Sequence, residues 1–185
     1  MTPSNSDLIK PNILFLFFDS FRADKISGPD KNSLTPNFDY IKKNGVFFDH
    51  AISSSDASIL SYAGLFSGKH PFKTGMRSSK LTKLIDTTSY LEFLKNHGYK
   101  LYGCMSKSDS LLEILPEFEN NEESFLDYGM SVFTDAGRIT LDKLNSKMRE
   151  PWLFILHTAD MHFPITNPKG FEDEKFGSNK YEKQI

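Results

Sequence analysis

The feature that most constrains this chain is the stretch PNILFLFFDSFRAD, Pro11 to Asp24, in which an unbroken apolar run from Ile13 to Phe18 meets an acid, Asp19. The run is too short to cross a bilayer and reads as a strand buried on both faces. Strands of that kind belong to parallel sheets covered by helices. In open α/β sheets ligands bind beyond the carboxyl ends of the strands, so Asp19 stands where a functional site is expected. The plainer role for an acid at this position is to cap the following turn.

A second apolar run, Trp152 to Leu156, also leads straight into ionisable residues: His157, Asp160 and His162. Between the two runs the punctuation alternates between helix and strand. Thr35-Pro36 opens a helix that Gly45 closes in a left-handed turn, with Phe38 and Ile41 on its inner face. Val46 to Phe48 is expected as a short strand leading into the small polar run AISSSDAS. Ser61 to Ser67 is expected as a short helix aimed at the Ser53 to Ser58 loop, and Pro71 to Leu84 as a polar, basic loop. Further helices are expected over Asp86 to Asn96, Leu111 to Leu115 and Thr134 to Met148, the last with Leu141, Leu144 and Met148 inward. Lys100 to Met105 is strand-like, and most of the acidic run Glu117 to Glu123 is expected as solvated surface.

This alternation gives an α/β fold: a doubly wound, mostly parallel sheet with helices on both faces. Residues 1–10 are expected as a loose lead-in and 11–185 as one domain. Lys and Arg number 22 against 24 Asp and Glu, a balance that gives no reason to expect nucleic acid or an anionic membrane as partner. A single cysteine, Cys104, excludes an internal disulfide, and with no signal peptide or membrane span in view a cytoplasmic location is expected.

Asp19, Ser58 and the Asp160/His162 pair would then converge on one edge of the sheet. An Asp and a Ser oxygen can share a divalent metal that lowers the hydroxyl pKa and makes a nucleophile for phosphorus or sulfur. A nearby His can hold a substrate oxygen or protonate a leaving group. A haloacid-dehalogenase-like reading needs an acid two residues after Asp19, where Phe21 stands, and no Gly-rich phosphate loop follows the strand.

The frames DSFRAD (Asp19 to Asp24), LTPNFDYIKKNGVFFDHAIS (Leu34 to Ser53), SILSYAGLFSGKHPFKTG (Ser58 to Gly75) and FILHTADMHFP (Phe154 to Pro164) resemble the N-terminal half of the sulfatases. Those enzymes belong to the alkaline phosphatase-like superfamily. The resemblance implies a metal-dependent hydrolase of sulfate or phosphate esters acting on a small-molecule ester. In it Asp19 and Ser58 bind the metal, Ser58 or a group derived from it is the nucleophile, and His162 contacts substrate and is catalytic. Lys107, one position from the family's Lys, is a further substrate-binding candidate. The implied cofactor is a divalent metal: calcium or magnesium first, manganese or zinc as alternatives.

Three departures accompany the resemblance. The maturation motif C/S-x-P-x-R stands here as Ser58-Ile59-Leu60-Ser61-Tyr62, without its Pro and Arg, which argues against conversion of Ser58 to formylglycine. The G-K-W-H stretch of many sulfatases is replaced by CMSKS, Cys104 to Ser108. The family's later Asp-His metal pair has no counterpart before Ile185, so the expectation is a truncated portion of the family fold, completed by a second copy or a complementing chain. The competing expectation is an inactive sulfatase-like fragment serving as a binding or assembly domain.

Overall fold

A computed structural model of the chain describes residues 9–76, 89–107, 114–126, 131–165 and 169–185. The expected strands form as β1 (Ile13–Phe18), β2 (Lys100–Ser106) and β4 (Trp152–Thr158), and a two-residue strand that was not expected, β3 (Phe125–Leu126), joins them. They lie in the order β1-β4-β2-β3, and every pair is parallel. Ile13 stands opposite Leu153 and Phe18 opposite Thr158, so β1 and β4 end level with one another. One more ladder bond follows, from the Asp19 amide to the Thr158 carbonyl at 3.0 Å.

Side chains alternate across a strand, and the two faces of β4 therefore enter different cores. Leu153 and Ile155 pack with Ile59, Tyr62, Ala63 and Phe66 of α2 (Ser58–Ser67) and Leu91 of α4 (Tyr90–Asn96). Phe154 and Leu156 pack with Ala136, Ile139 and Leu144 of α6 (Asp135–Asn145). Helices thus cover both faces, and the architecture is the doubly wound α/β arrangement expected. Cys104 is buried in the second core. No described helix is long and apolar enough to cross a membrane.

The remaining helices are α1 (Pro36–Asn44), α3 (Pro71–Thr74), α5 (Asn121–Ser124) and α7 (Lys180–Gln184). Several local expectations are corrected. α1 has the expected ends, but Gly45 is extended (φ −131°) and Ile41 is 59% exposed. Only Phe38 turns inward, against Phe18 and Phe21. Val46 to Phe48 joins no sheet, since no described strand lies beside it to complete a ladder. α2 begins at Ser58, three residues before the expected Ser61, because extended Ala57 already accepts the Ser61 amide at 2.9 Å. Pro71 starts a helical turn instead of a loop, and residues 77–84 of that expected loop lie outside the described residues.

α4 starts at Tyr90, where Ser89 caps the Leu91 amide; residues 86–88 lie outside the described residues, as do 111–113 of the helix expected over Leu111 to Leu115. α6 stops at Asn145 and turns Ala136, Gly137 and Thr140 inward, leaving Leu141 exposed. Gly137 meets the sheet-side loop so closely that a Cβ there would lie 1.8 Å from the Val132 carbonyl. Within the acidic run, Phe118 and Asn120 are buried, and the Asn120 amide bridges Gly103 N–H and C=O at 3.0 and 2.8 Å.

Burial separates two residues that sequence pattern treats alike. Phe154 is fully enclosed in the central strand, so Phe154→Ala is expected to cost about 3–5 kcal/mol in urea unfolding. Ile41→Ala, on an exposed face, is expected to change stability by no more than about 0.5 kcal/mol.

Candidate active site

The carboxyl edge of the sheet gathers residues far apart in sequence. β1 delivers Asp19, and the chain turns away at once because Ser20 takes a left-handed conformation (φ 60°). The crossover returns through the Ser53 to Ser58 loop, and Ser58, first residue of α2, donates its hydroxyl to Asp19 Oδ2 at 3.0 Å. Ser20 Oγ reaches the other oxygen, Oδ1, at 3.3 Å. Ser53, Ser55 and Ser61 knit the loop: the Ser53 and Ser61 hydroxyls both donate to the Ser55 carbonyl, at 2.7 and 3.0 Å. The result is a cleft of about 350 Å³ with Phe17 and Tyr62 in its wall and Asp19 and Ser58 side by side.

Ser58 also stands at an open helix end. The first amides of an α-helix have no intrahelical acceptor, and Ala57 has no side chain to cap them. Their partial positive charge is directed at the cleft, where a developing anion would be favoured.

Beneath Asp19 lies His157, near the end of β4 and opposite Phe17 in the ladder. Its ring is buried, edge-on to Tyr62 at 5.4 Å, and its Nε2 lies 3.6 Å from Asp19 Oδ2. That separation is longer than a hydrogen bond, and among the described residues neither ring nitrogen has a hydrogen-bond partner. The contact is therefore an electrostatic one. His157 is the main cause that lowers the Asp19 carboxyl to about 2, with burial opposing it and the Ser58 hydroxyl and the charge of His162 assisting. The Tyr62 phenol is pushed up, by burial first and by the Asp19 charge second. Tyr62 is a core ring stacked on Phe66.

The other candidates are placed as follows. His162 is exposed in the turn after β4, its amide bonded to the Ala159 carbonyl at 2.8 Å and its Nδ1 2.9 Å from the Phe163 carbonyl. It follows the end of β4, at the same edge of the sheet as Asp19. Asp160 faces elsewhere: its carboxylate accepts from Ser131, Thr158 and the Val132 amide, and so fastens the start of α6. Lys107 follows β2, two strands from Asp19, or about 10 Å across the sheet. Arg22 and Asp24 make an exposed local ion pair at 2.7 Å. His157 is the residue that sequence reasoning assigned only to the strand end. Its signal was parity, since it shares the inward face of Leu153 and Ile155 and yet is ionisable.

Asp19 and Ser58 present two oxygens 3.0 Å apart at the mouth of the cleft, a spacing that suits adjacent ligands of one hard cation. They fit one edge of such a site. Among the described residues no group of three or more His, Cys, Asp or Glu side chains is placed to hold a metal ion.

A parallel sheet, helices on both faces, and a carboxylate paired with a hydroxyl at the strand ends define an α/β protein of the kind that carries its site at the carboxyl edge. The profile of the family described as Sulfatase matches residues 11–185, and the chain belongs to the sulfatase family. It is 32% identical over 91 residues to the ulvan-active sulfatase of Formosa agariphila, a match covering 49% of this chain and 18% of that protein. It is 34% identical over 97 residues to the N-acetylgalactosamine-6-O-sulfatase of Bacteroides thetaiotaomicron, covering 49% and 19%. To arylsulfatase D of Homo sapiens it is 26% identical over 109 residues, covering 52% and 18%. The chain thus spans less than a fifth of the length of these relatives.

The depressed Asp19 carboxyl has a consequence for acid stability. A carboxyl whose folded value lies below its unfolded 3.8 stabilises the fold above 3.8, and that contribution is lost as pH falls toward about 2. Urea unfolding between pH 5 and 2 is therefore expected to show a shallower acid loss for Asp19→Asn than for the native chain. His157→Gln, which removes the main lowering cause, is expected to reduce that acid loss and to end it at a higher pH, closer to 3.8.

Proposed function

We propose that this chain carries the nucleophile side of a sulfatase-type site and acts in the hydrolysis of a sulfate ester, or of a phosphate ester of similar geometry. The observation that carries this reading is the 3.0 Å hydrogen bond from Ser58 to Asp19 at an uncapped helix start, in a chain of the sulfatase family. The anionic group of a small ester would lie at the cleft mouth against the first amides of α2. Ser58 Oγ releases its proton to solvent and attacks the sulfur or phosphorus, the bond to the ester oxygen breaks, and the alcohol leaves protonated; water then attacks the ester on Ser58, releasing sulfate or phosphate and restoring the Ser58 hydroxyl.

Asp19 orients the Ser58 hydroxyl but does not deprotonate it, because a carboxyl held near 2 is too weak a base at neutral pH. Sulfatases generally use a divalent metal; bound by Asp19 and Ser58, it would supply the lowered hydroxyl pKa and neutralise charge on the ester. His162, exposed at the same edge, is assigned to a substrate oxygen and to protonation of the leaving alcohol. Lys107 would reach the anionic group only with an extended side chain.

The test is turnover of an aryl sulfate and an aryl phosphate by the purified chain with calcium, magnesium, manganese or zinc. Ser58→Ala is expected to cut metal-dependent turnover by about a thousandfold or more. Turnover that survives Ser58→Ala, or that is absent for both esters with every metal, would overturn the proposal.

A further inference from the structure

The far end of the chain closes on the turn that follows Asp19. Tyr181 of α7 accepts the Arg22 amide at 2.7 Å and donates its hydroxyl to the Ser20 carbonyl at 2.7 Å. The next residue, Glu182, is 4% exposed and receives Lys25 Nζ at 2.7 Å, Asn32 Nδ2 at 2.8 Å and the Ser178 amide at 2.8 Å. Lys25 is itself buried. Two consecutive side chains therefore grip the loop from Ser20 to Asn32, one at its start and one further along.

That start is a demanding place. Among the described residues Ser20 is the one non-glycine with a positive φ, a conformation that an L side chain resists because of its Cβ. The left-handed turn lets the chain leave β1 while the Asp19 carboxylate stays directed at Ser58. Within the turn Ser20 Oγ makes one long bond, to Asp19 Oδ1 at 3.3 Å, whereas the two 2.7 Å bonds to Tyr181 fix the peptides on either side of Phe21.

We propose that Tyr181 is a positioning residue for the Asp19–Ser58 pair: its hydroxyl locks the left-handed turn at Ser20, and the buried Glu182–Lys25 pair anchors α7 so that the hydroxyl stays in reach. The kinetic part of this inference rests on the hydrolytic reading above; the geometric part does not.

The experiment compares Tyr181→Phe, Ser20→Gly and the double variant, each checked for folding by its thermal midpoint. Tyr181→Phe keeps the ring and removes the bonds. It is expected to speed amide exchange of Arg22 by about tenfold, the loss of one hydrogen bond, and to shift the Ser58 amide resonance. It is also expected to lower kcat on the aryl ester by about tenfold, with KM little changed. Adding Ser20→Gly should return the Ser58 resonance and kcat toward native values, because glycine holds a left-handed turn unaided; Arg22 exchange should stay fast, its acceptor being gone. A structural role for Tyr181 alone would lower the thermal midpoint without this rescue.

An unmoved Ser58 resonance in Tyr181→Phe, or no rescue in a folded double variant, overturns the proposal. Glu182→Gln gives a second route and should shift the same resonance in the same direction. A native chain without turnover would count against the hydrolytic reading, while the resonance and its rescue would still decide the role of Tyr181.

Discussion

Parallel pairing of β1 with β4 places Phe18 opposite Thr158, and the Asp19 amide extends the ladder by donating to the Thr158 carbonyl. From this register the rest of the site follows. Asp19 is fixed at the carboxyl edge, His157 falls on the inward face directly beneath it, and α2, packed on that face through Tyr62 and Phe66, brings Ser58 to the same point. A slip of one residue would invert β1, sending Phe15 and Phe17 out of the core and separating these groups. The hydrophobic pattern of two short strands thus sets the position of a polar pair thirty-nine residues apart.

Electrostatics then determine what the pair can do. Burial raises the cost of an Asp19 charge, yet His157 and the Ser58 hydroxyl outweigh it and hold the carboxyl near 2. Such a group is a steady anion and a weak base. It suits anchoring of a cation and orientation of a hydroxyl better than removal of its proton, and for that reason the chemistry proposed here depends on an activating charge beyond Asp19 itself. The buried Lys25–Glu182 pair serves a different end. It ties α7 to the loop after β1.

β1 and β4 were legible because an apolar run ending in charge has few other readings, whereas the two-residue β3 was not expected; Asp19 and Ser58 were visible as candidates through the DSFRAD and SILSYAGLFSGKHP frames. What escaped was set by tertiary contact. His157 reads as a strand-end residue until the register shows which way it faces. Ile41 has ideal helical spacing from Phe38, but of the two only Phe38 packs on other side chains, the rings of Phe18 and Phe21, while Ile41 is exposed. Val46 to Phe48 has strand propensity and no neighbouring strand. Tyr181 carries no local signal at all, since its role exists only where α7 meets the turn after β1.

The central claim is that Ser58 is the attacking group, and a trapped intermediate tests it most directly. The chain would be incubated with an aryl sulfate or aryl phosphate and divalent metal, quenched in acid, digested and analysed by peptide mass spectrometry. A sulfuryl or phosphoryl group on Ser58, absent from Ser58→Ala and from Asp19→Asn, is the predicted result. Turnover with an unmodified Ser58 at every quench time, or with the label on another residue, would contradict the account.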